Sequence, residues 1–159
     1  MCSTAILDHV GLTVGDLEAA IDWYARALDL SEESRFEIPA VDLRGVMMIS
    51  PTRYRLELLE RNGPRPASQA NGPVRAGLLH GCGYGHMCLD VEDVDAAYEE
   101  LMAAGAADRM SPRPSPEPDV RMAFVADPEG NLIELRDRAA VRSRGASFSP
   151  EDHTAVGPA

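Results

Sequence analysis

Residues 9–22, HVGLTVGDLEAAID, recur at residues 86–99 as HMCLDVEDVDAAYE, with six identities in fourteen aligned positions. The same offset of 77 residues places the RLEL segment of the first copy on the LIEL segment of the second. A match of a chain with itself at a fixed offset is typical of a duplicated structural unit. Two imidazoles and two carboxylates occupy equivalent positions in the two copies: His9, Glu57, His86 and Glu134.

Each copy begins with a predicted strand that is followed by a predicted helix. Apolar and polar residues alternate in Ile6–Val14, which predicts a half-buried strand with His9 on the face opposite the main apolar row. Asp16 is the predicted N-cap of the helix that follows. The second copy repeats this pattern, with Asp93 as the N-cap and Gly105 at the C-terminal end of the helix.

Three further strands are predicted after each helix, so each copy has the order βαβββ. The predicted strands are Ser34–Ile38, Leu43–Ile49 and Tyr54–Leu59 in the first copy, and Ala107–Met110, Arg121–Ala126 and Leu132–Leu135 in the second. Asp127-Pro128-Glu129-Gly130-Asn131 predicts a tight turn, because proline fixes φ and glycine tolerates positive φ. The four prolines in Pro112–Pro118 predict an extended surface loop.

These patterns predict a single domain in residues 1–138, followed by a flexible tail in residues 139–159. Within that domain we expect one module at about 5–61, a linker rich in Gly and Pro at about 62–83, and a second module at about 84–137.

Composition excludes several classes of protein. The chain has 159 residues, of which 45% are hydrophobic and 26% charged, as in a soluble globular domain. A net charge of −11 without any lysine disfavours nucleic acid and anionic membranes as partners. There is no apolar run of about 18 residues and no signal-peptide pattern at the N-terminus. We therefore expect a cytoplasmic protein that binds neither nucleic acid nor membranes.

The four repeated polar residues indicate a metal site. A carboxylate between apolar neighbours in a strand is costly unless it is paired or bound to a cation. Imidazole and carboxylate ligands together suit one divalent cation, with Ni, Co, Mn, Fe and Zn as candidates. We therefore interpret His9, Glu57, His86 and Glu134 as the ligands of a single divalent metal.

The segments LDHVGLTVGDLEAAIDWYARALDL, RLELLE, GYGHMCLDVEDVDAAYEELMAAG and AFVADPEGNLIEL resemble the vicinal oxygen chelate superfamily, over about Ile6 to Arg136. Its members include glyoxalase I, methylmalonyl-CoA epimerase, extradiol dioxygenases, and fosfomycin- and bleomycin-resistance proteins. The resemblance implies an α+β fold, in which two tandem βαβββ modules form a cupped eight-stranded mixed sheet with helices on its outer face. It also implies a homodimer and places the four repeated residues at the metal-ligand positions.

The ligand set is similar to that of bacterial glyoxalase I, whereas epimerases of the superfamily usually carry Gln at the position of Glu57. Two glutathione-binding positions of bacterial glyoxalase I differ here, since Thr13 stands in place of Arg and Arg61 in place of Asn. The resemblance therefore favours a lyase or an isomerase of the glyoxalase or epimerase type that acts on a substrate other than glutathione adducts.

The expected reaction passes through a metal-stabilised enediolate of a small oxygenated substrate, with Glu134 as the first candidate for the catalytic base and Glu57 as the second. Arg44, Arg55 and Arg121 lie on predicted strands and are candidates for holding a carboxylate or phosphate of the substrate.

Two alternatives remain open at the level of sequence. The first is a protein of the same fold that binds a small molecule or confers drug resistance, for which binding would survive chelation. The second is an Fe(II) dioxygenase with a triad of His9, His86 and Glu134, in which Glu57 would occupy a position that oxygen chemistry needs open.

Overall fold

The computed structural model describes residues 6–61 and 84–138, so the predicted linker and tail lie outside the described residues. The elements are β1 (Val10–Val14), α1 (Leu17–Leu28), β2 (Ser31–Ile38), a 3₁₀ turn (Pro39–Val41), β3 (Leu43–Ile49), β4 (Arg55–Arg61), β5 (Met87–Asp90), α2 (Val94–Ala103), β6 (Ala107–Pro114), β7 (Arg121–Ala126) and β8 (Leu132–Asp137).

The strands form two four-stranded mixed sheets with the same topology. Their orders are β1-β4-β3-β2 and β5-β8-β7-β6, and the first strand of each module pairs in parallel with the last. The other pairs are antiparallel. This architecture confirms the prediction of an α+β fold built from two tandem βαβββ modules. The eight strands are divided between two hydrogen-bonded sheets, in which β1 and β5 are outer strands.

Both helices begin where the sequence predicts, and α2 also ends there. The Asp16 carboxylate accepts a hydrogen bond from Ala19 N at 3.0 Å, and Asp93 caps α2 in the same way. Gly105 has a φ of 92° and follows the last turn of α2, where its N–H donates to the Met102 carbonyl. A glycine in the left-handed region is the usual way to end a helix, since it has no Cβ to strain.

One hydrophobic core joins the two modules. The helices cover one face of each sheet, and the side chains on that face alternate with the polar side chains of the other face. The largest fully buried side chains are Tyr24, Leu17, Met48, Leu56, Leu58, Ile133, Leu135, Val46, Val94 and Val125. Neither α1 nor α2 is long and apolar enough to cross a membrane, and they are the two α-helices of the described residues.

Helix α1 of the first module is also tied to the second module by polar contacts. The Trp23 indole N–H donates to the Ala104 carbonyl at 3.0 Å, and the buried Tyr24 hydroxyl donates to the Asp127 carboxylate at 2.8 Å. Glu129 accepts from Gly15 N at 2.6 Å. The predicted turn at residues 127–131 is therefore present, and it docks the second module onto α1.

Strand β1 is shorter than predicted, because it begins at Val10 and not at Ile6. Val10 pairs with Leu56, and β4 begins one residue earlier, so residues 6–8 extend beyond the end of their partner strand. His9 consequently lies immediately before β1, and His86 lies immediately before β5.

The prediction of an extended loop at Pro112–Pro118 was wrong in its first part. Strand β6 continues to Pro114, and the connection to β7 begins at Ser115. Prolines are compatible with this strand because β6 is an outer strand, where an N–H can be missing without breaking a ladder. Register shifts between Asp108 and Met110 and between Met110 and Arg113 accommodate the irregular backbone.

Candidate metal and substrate site

The first candidate half-site is formed by His9 and Glu57. His9 enters from the chain just before β1, Glu57 projects from the middle of β4, and His9 Nε2 lies 3.5 Å from Glu57 Oε2. Gly11 is the register partner of Glu57. A Cβ at Gly11 would lie 3.3 Å from the Glu57 carboxylate, so the glycine leaves the room that this carboxylate occupies.

The second candidate half-site repeats this geometry with His86 and Glu134. His86 Nε2 lies 2.9 Å from Glu134 Oε2, and Glu134 is one of the few buried charged residues, with 8% exposure. The Phe124 ring packs edge-to-face against the His86 ring at 5.2 Å between centroids, which limits the orientations of the imidazole. A buried carboxylate in this setting depends on its partner for compensation.

Both imidazoles line one cleft of about 410 Å³ between the outer strands β1 and β5. Apolar side chains such as Leu12, Tyr24 and Ile133 form much of its wall. Within residues 6–61 and 84–138, no three His, Cys, Asp or Glu side chains converge into one metal-binding cluster. The structure thus brings the four predicted ligands together as two pairs.

Asp8 orients the first imidazole, and the sequence analysis did not single it out. Asp8 Oδ2 lies 2.8 Å from His9 Nδ1, which leaves His9 Nε2 directed toward Glu57. This hydrogen bond raises the pKa of the His9 imidazole above its ordinary value, and the Glu57 charge acts in the same direction. Carboxylates that hold the second nitrogen of an imidazole are frequent beside metal ligands. The adjacency of Asp8 and His9 in the sequence was the available signal.

Cys88 occupies the position in the second module that Gly11 occupies in the first, opposite Glu134 in the strand register. Burial and the neighbouring Glu134 charge raise the pKa of the Cys88 thiol to about 12. The thiol is therefore protonated near neutral pH in the metal-free protein.

Two of the three arginines predicted to hold the substrate lie on the helix-covered side of the sheets. Arg44 shares a face of β3 with the buried Val46 and Met48, and it pairs with Glu60. Arg121 occupies the equivalent place in the second module and pairs with Asp95 of α2. The structure does not bring either guanidinium to the face that carries the His–Glu pairs.

The third arginine, Arg55, does share a face with Glu57, since the two residues are separated by one position on β4. It forms a bidentate ion pair with Glu33, at 2.7 and 2.8 Å. A further arginine on the ligand-bearing face, Arg136, follows Glu134 at the same spacing on β8. Arg136 was not predicted as a site residue, because the predicted strand ends at Leu135, two residues before the end of β8 at Asp137.

Comparison with known proteins agrees with this fold. The model of the family described as the Glyoxalase/Bleomycin resistance protein/Dioxygenase superfamily matches residues 6–135. The chain belongs to this superfamily, as its motifs suggested.

The chain is 30% identical over 131 residues to a probable lactoylglutathione lyase of Vibrio cholerae, covering 80% of this chain and 86% of that protein. It is 27% identical over 138 residues to a lactoylglutathione lyase of Haemophilus influenzae, covering 85% of this chain and 94% of that protein. Among solved structures, glyoxalase I of Zea mays is similar with a TM-score of 0.64 at 22% identity, covering 82% of this chain. The chain spans 44% of the length of that maize protein.

Replacement of Asp8 by Asn should lower the pKa of His9 in the metal-free protein. The carboxylate stabilises the imidazolium through its hydrogen bond, and a neutral amide gives that form less stabilisation. An NMR titration of the imidazole signals measures the effect. Asp42→Asn is a matched control, because Asp42 lies at an exposed turn and Asn tolerates its positive φ. An unchanged His9 pKa in Asp8→Asn would contradict this assignment.

Proposed function

We propose that the protein is a metal-dependent lyase or isomerase of the glyoxalase or epimerase type. The observation that carries this proposal is the pair of His–Glu contacts at equivalent positions of the two modules, with both imidazoles on one cleft. The relatives named lactoylglutathione lyase support the same class of activity. The substrate is a small oxygenated carbonyl compound.

The donor set fits a divalent cation of the transition series. His9 and His86 would supply imidazole nitrogens, while Glu57 and Glu134 would supply carboxylate oxygens. When bound, the cation supplies Lewis-acid stabilisation of negative charge on substrate oxygens. Ni, Co, Mn, Fe and Zn are all compatible with these ligands.

Glu134 is the proposed base that removes a proton from the carbon next to the substrate carbonyl. Its carboxylate is buried and held by His86, whose imidazole lines the cleft, so it is kept in one orientation. Glu57, with 21% of its side chain exposed, is the second carboxylate and would return a proton from the other module. Two carboxylates on two sides of a substrate permit the transfer of a proton between faces, which isomerisation and epimerisation require.

We also propose a substrate other than a glutathione adduct, although the relatives are named for lactoylglutathione. Thr13 and Arg61 differ from the residues that bind glutathione in the bacterial enzyme that this chain resembles, and both are exposed on β1 and β4. Arg55 shares the face of Glu57 and is retained as a candidate for an anionic group, which would compete with Glu33.

Activity should depend more strongly on Glu134 than on Glu57. In Glu134→Gln, we expect kcat to fall by about 10²-fold or more at saturating metal, because the amide cannot accept the proton. The assay measures turnover of S-lactoylglutathione, of other α-hydroxy carbonyl adducts and of acyl thioesters. Glu60→Gln is the matched control, since Glu60 pairs with Arg44 at the helix-covered face. Full activity of Glu134→Gln on the best substrate would remove Glu134 from the proposed role.

We further propose that a second copy of the chain covers the apolar surface beside the cleft. Leu7, Val10 and Tyr84 line the cleft and are exposed, with 84% of Leu7 accessible. The neighbouring Ile6 is exposed as well. Apolar side chains grouped at the open edges of two sheets are typical of surfaces that associate.

Sedimentation velocity of the full chain should therefore show a homodimer. Leu7→Asp should weaken the dimer by roughly tenfold or more, because it would bury a charge against an apolar surface. The matched control is Ile38→Asp, which changes an exposed apolar residue on the distant outer strand β2. A monomeric wild-type protein, or equal effects of the two variants, would argue against this surface.

A further inference from the structure

Arg136 lies beside the second His–Glu pair. It is two positions after Glu134 on β8 and therefore projects from the same face of the sheet. Its side chain is 16% exposed, and Arg136 Nε is 3.6 Å from Glu134 Oε1, which is too long for a hydrogen bond. The equivalent position of the first module is Leu59, so only the second module carries this cation.

A carboxylate from the connection between β6 and β7 holds the Arg136 guanidinium. Glu117 Oε2 accepts from Arg136 Nη2 at 2.6 Å and from Arg138 Nη2 at 3.1 Å, and Ser115 Oγ accepts from Arg136 Nη2 at 3.0 Å. Glu117 lies on a short turn that is closed by Ser115 N donating to the Val120 carbonyl at 2.8 Å. Two guanidinium groups thus share one oxygen of one loop carboxylate.

This arrangement leaves binding capacity unused. Within the described part of the chain, Arg136 Nε is buried and has no hydrogen-bond partner. A buried donor without an acceptor is costly, and a guanidinium is well suited to bind both oxygens of a carboxylate in a fork. If Glu134 is committed to a cation, Glu117 is the carboxylate that forms ion pairs with both Arg136 and Arg138.

We propose that Arg136 and Arg138 form a subsite for a carboxylate group of the substrate, and that the Glu117 carboxylate occupies this subsite when substrate is absent. Substrate binding then exchanges one carboxylate for another, and Glu117 moves out with its turn. The role of this subsite in a reaction rests on the proposed function. The subsite would hold the substrate carboxylate beside Glu134, which is the proposed base. The binding of a carboxylate does not require that reaction to occur.

The test uses the full chain and sodium succinate as the probe, with the Arg136 Nε–H signal followed by ¹⁵N NMR. Succinate should shift this signal in the wild-type protein, and Glu117→Gln should tighten succinate binding about tenfold by removing the competing carboxylate. Arg136→Lys keeps the charge and loses the fork, so it should lose most of the affinity, measured by calorimetry in the Glu117→Gln background. The matched control is Arg121→Gln, because Arg121 pairs with Asp95 on the opposite side of the sheet.

Unchanged succinate affinity in Glu117→Gln, or an equal loss in the Arg121→Gln control, would overturn the subsite. Inorganic phosphate forms a second arm, and tighter binding of phosphate than of succinate at Arg136 would overturn the assignment to a carboxylate. The His9→Ala/His86→Ala double variant separates this proposal from the metal chemistry. Succinate binding that persists there, in a protein without activity, supports the subsite independently of the proposed function.

Discussion

A carboxylate in the middle of a largely apolar strand must find a partner, and this requirement underlies the arrangement of the whole protein. In each module, the last strand carries that carboxylate and pairs in parallel with the first strand. The parallel register places a histidine two positions before the residue that faces the carboxylate, on the same side of the sheet. His9 thereby meets Glu57, and His86 meets Glu134. The helices then cover the opposite, apolar side of each sheet.

The fold was largely predictable because the two halves of the chain repeat the same sequence pattern, so each half supports the interpretation of the other. A duplicated pattern of alternating residues, a capping aspartate and a helical stretch determines the module, and Asp16 and Asp93 cap their helices as expected. Strand ends were less predictable, since they depend on the length of the partner strand. The outer strand β6 tolerates prolines that look like a loop in the sequence alone.

The sequence predicts the four residues that form the two His–Glu pairs, and it predicts the positions of the arginines less well. The predicted metal ligands remain a proposal, and the structure places them as two neighbouring pairs. Arg44 was predicted to hold the substrate, although it has the same parity as Val46 and Met48 and therefore lies on the helix-covered face. Arg136 was missed because the predicted strand ended at Leu135, one residue before it. Contacts such as that of Glu117 with Arg136 join segments that are separated in the sequence, so a local sequence pattern cannot predict them.

The two modules have kept one feature and diverged in others. The His–Glu pair is present in both, whereas Gly11 corresponds to Cys88, Met47 to Phe124 and Leu59 to Arg136. These three positions share a face with the carboxylate of their module, as the strand register shows. A shared metal would require the pair from each module, while recognition of an asymmetric substrate needs different neighbours. In this proposal, both modules hold the metal, and the second module alone carries the carboxylate subsite.

We propose above all that the two His–Glu pairs bind one cation together. Elemental analysis of the untagged full chain by plasma mass spectrometry, alongside the His9→Ala/His86→Ala double variant, tests it most directly. We expect about one transition-metal ion per chain in the wild-type protein and loss of that ion in the variant. A protein that contains no metal and takes up none of Ni, Co, Mn, Fe or Zn would contradict the claim. The cleft would then be interpreted as a binding site for a small molecule that does not depend on a metal.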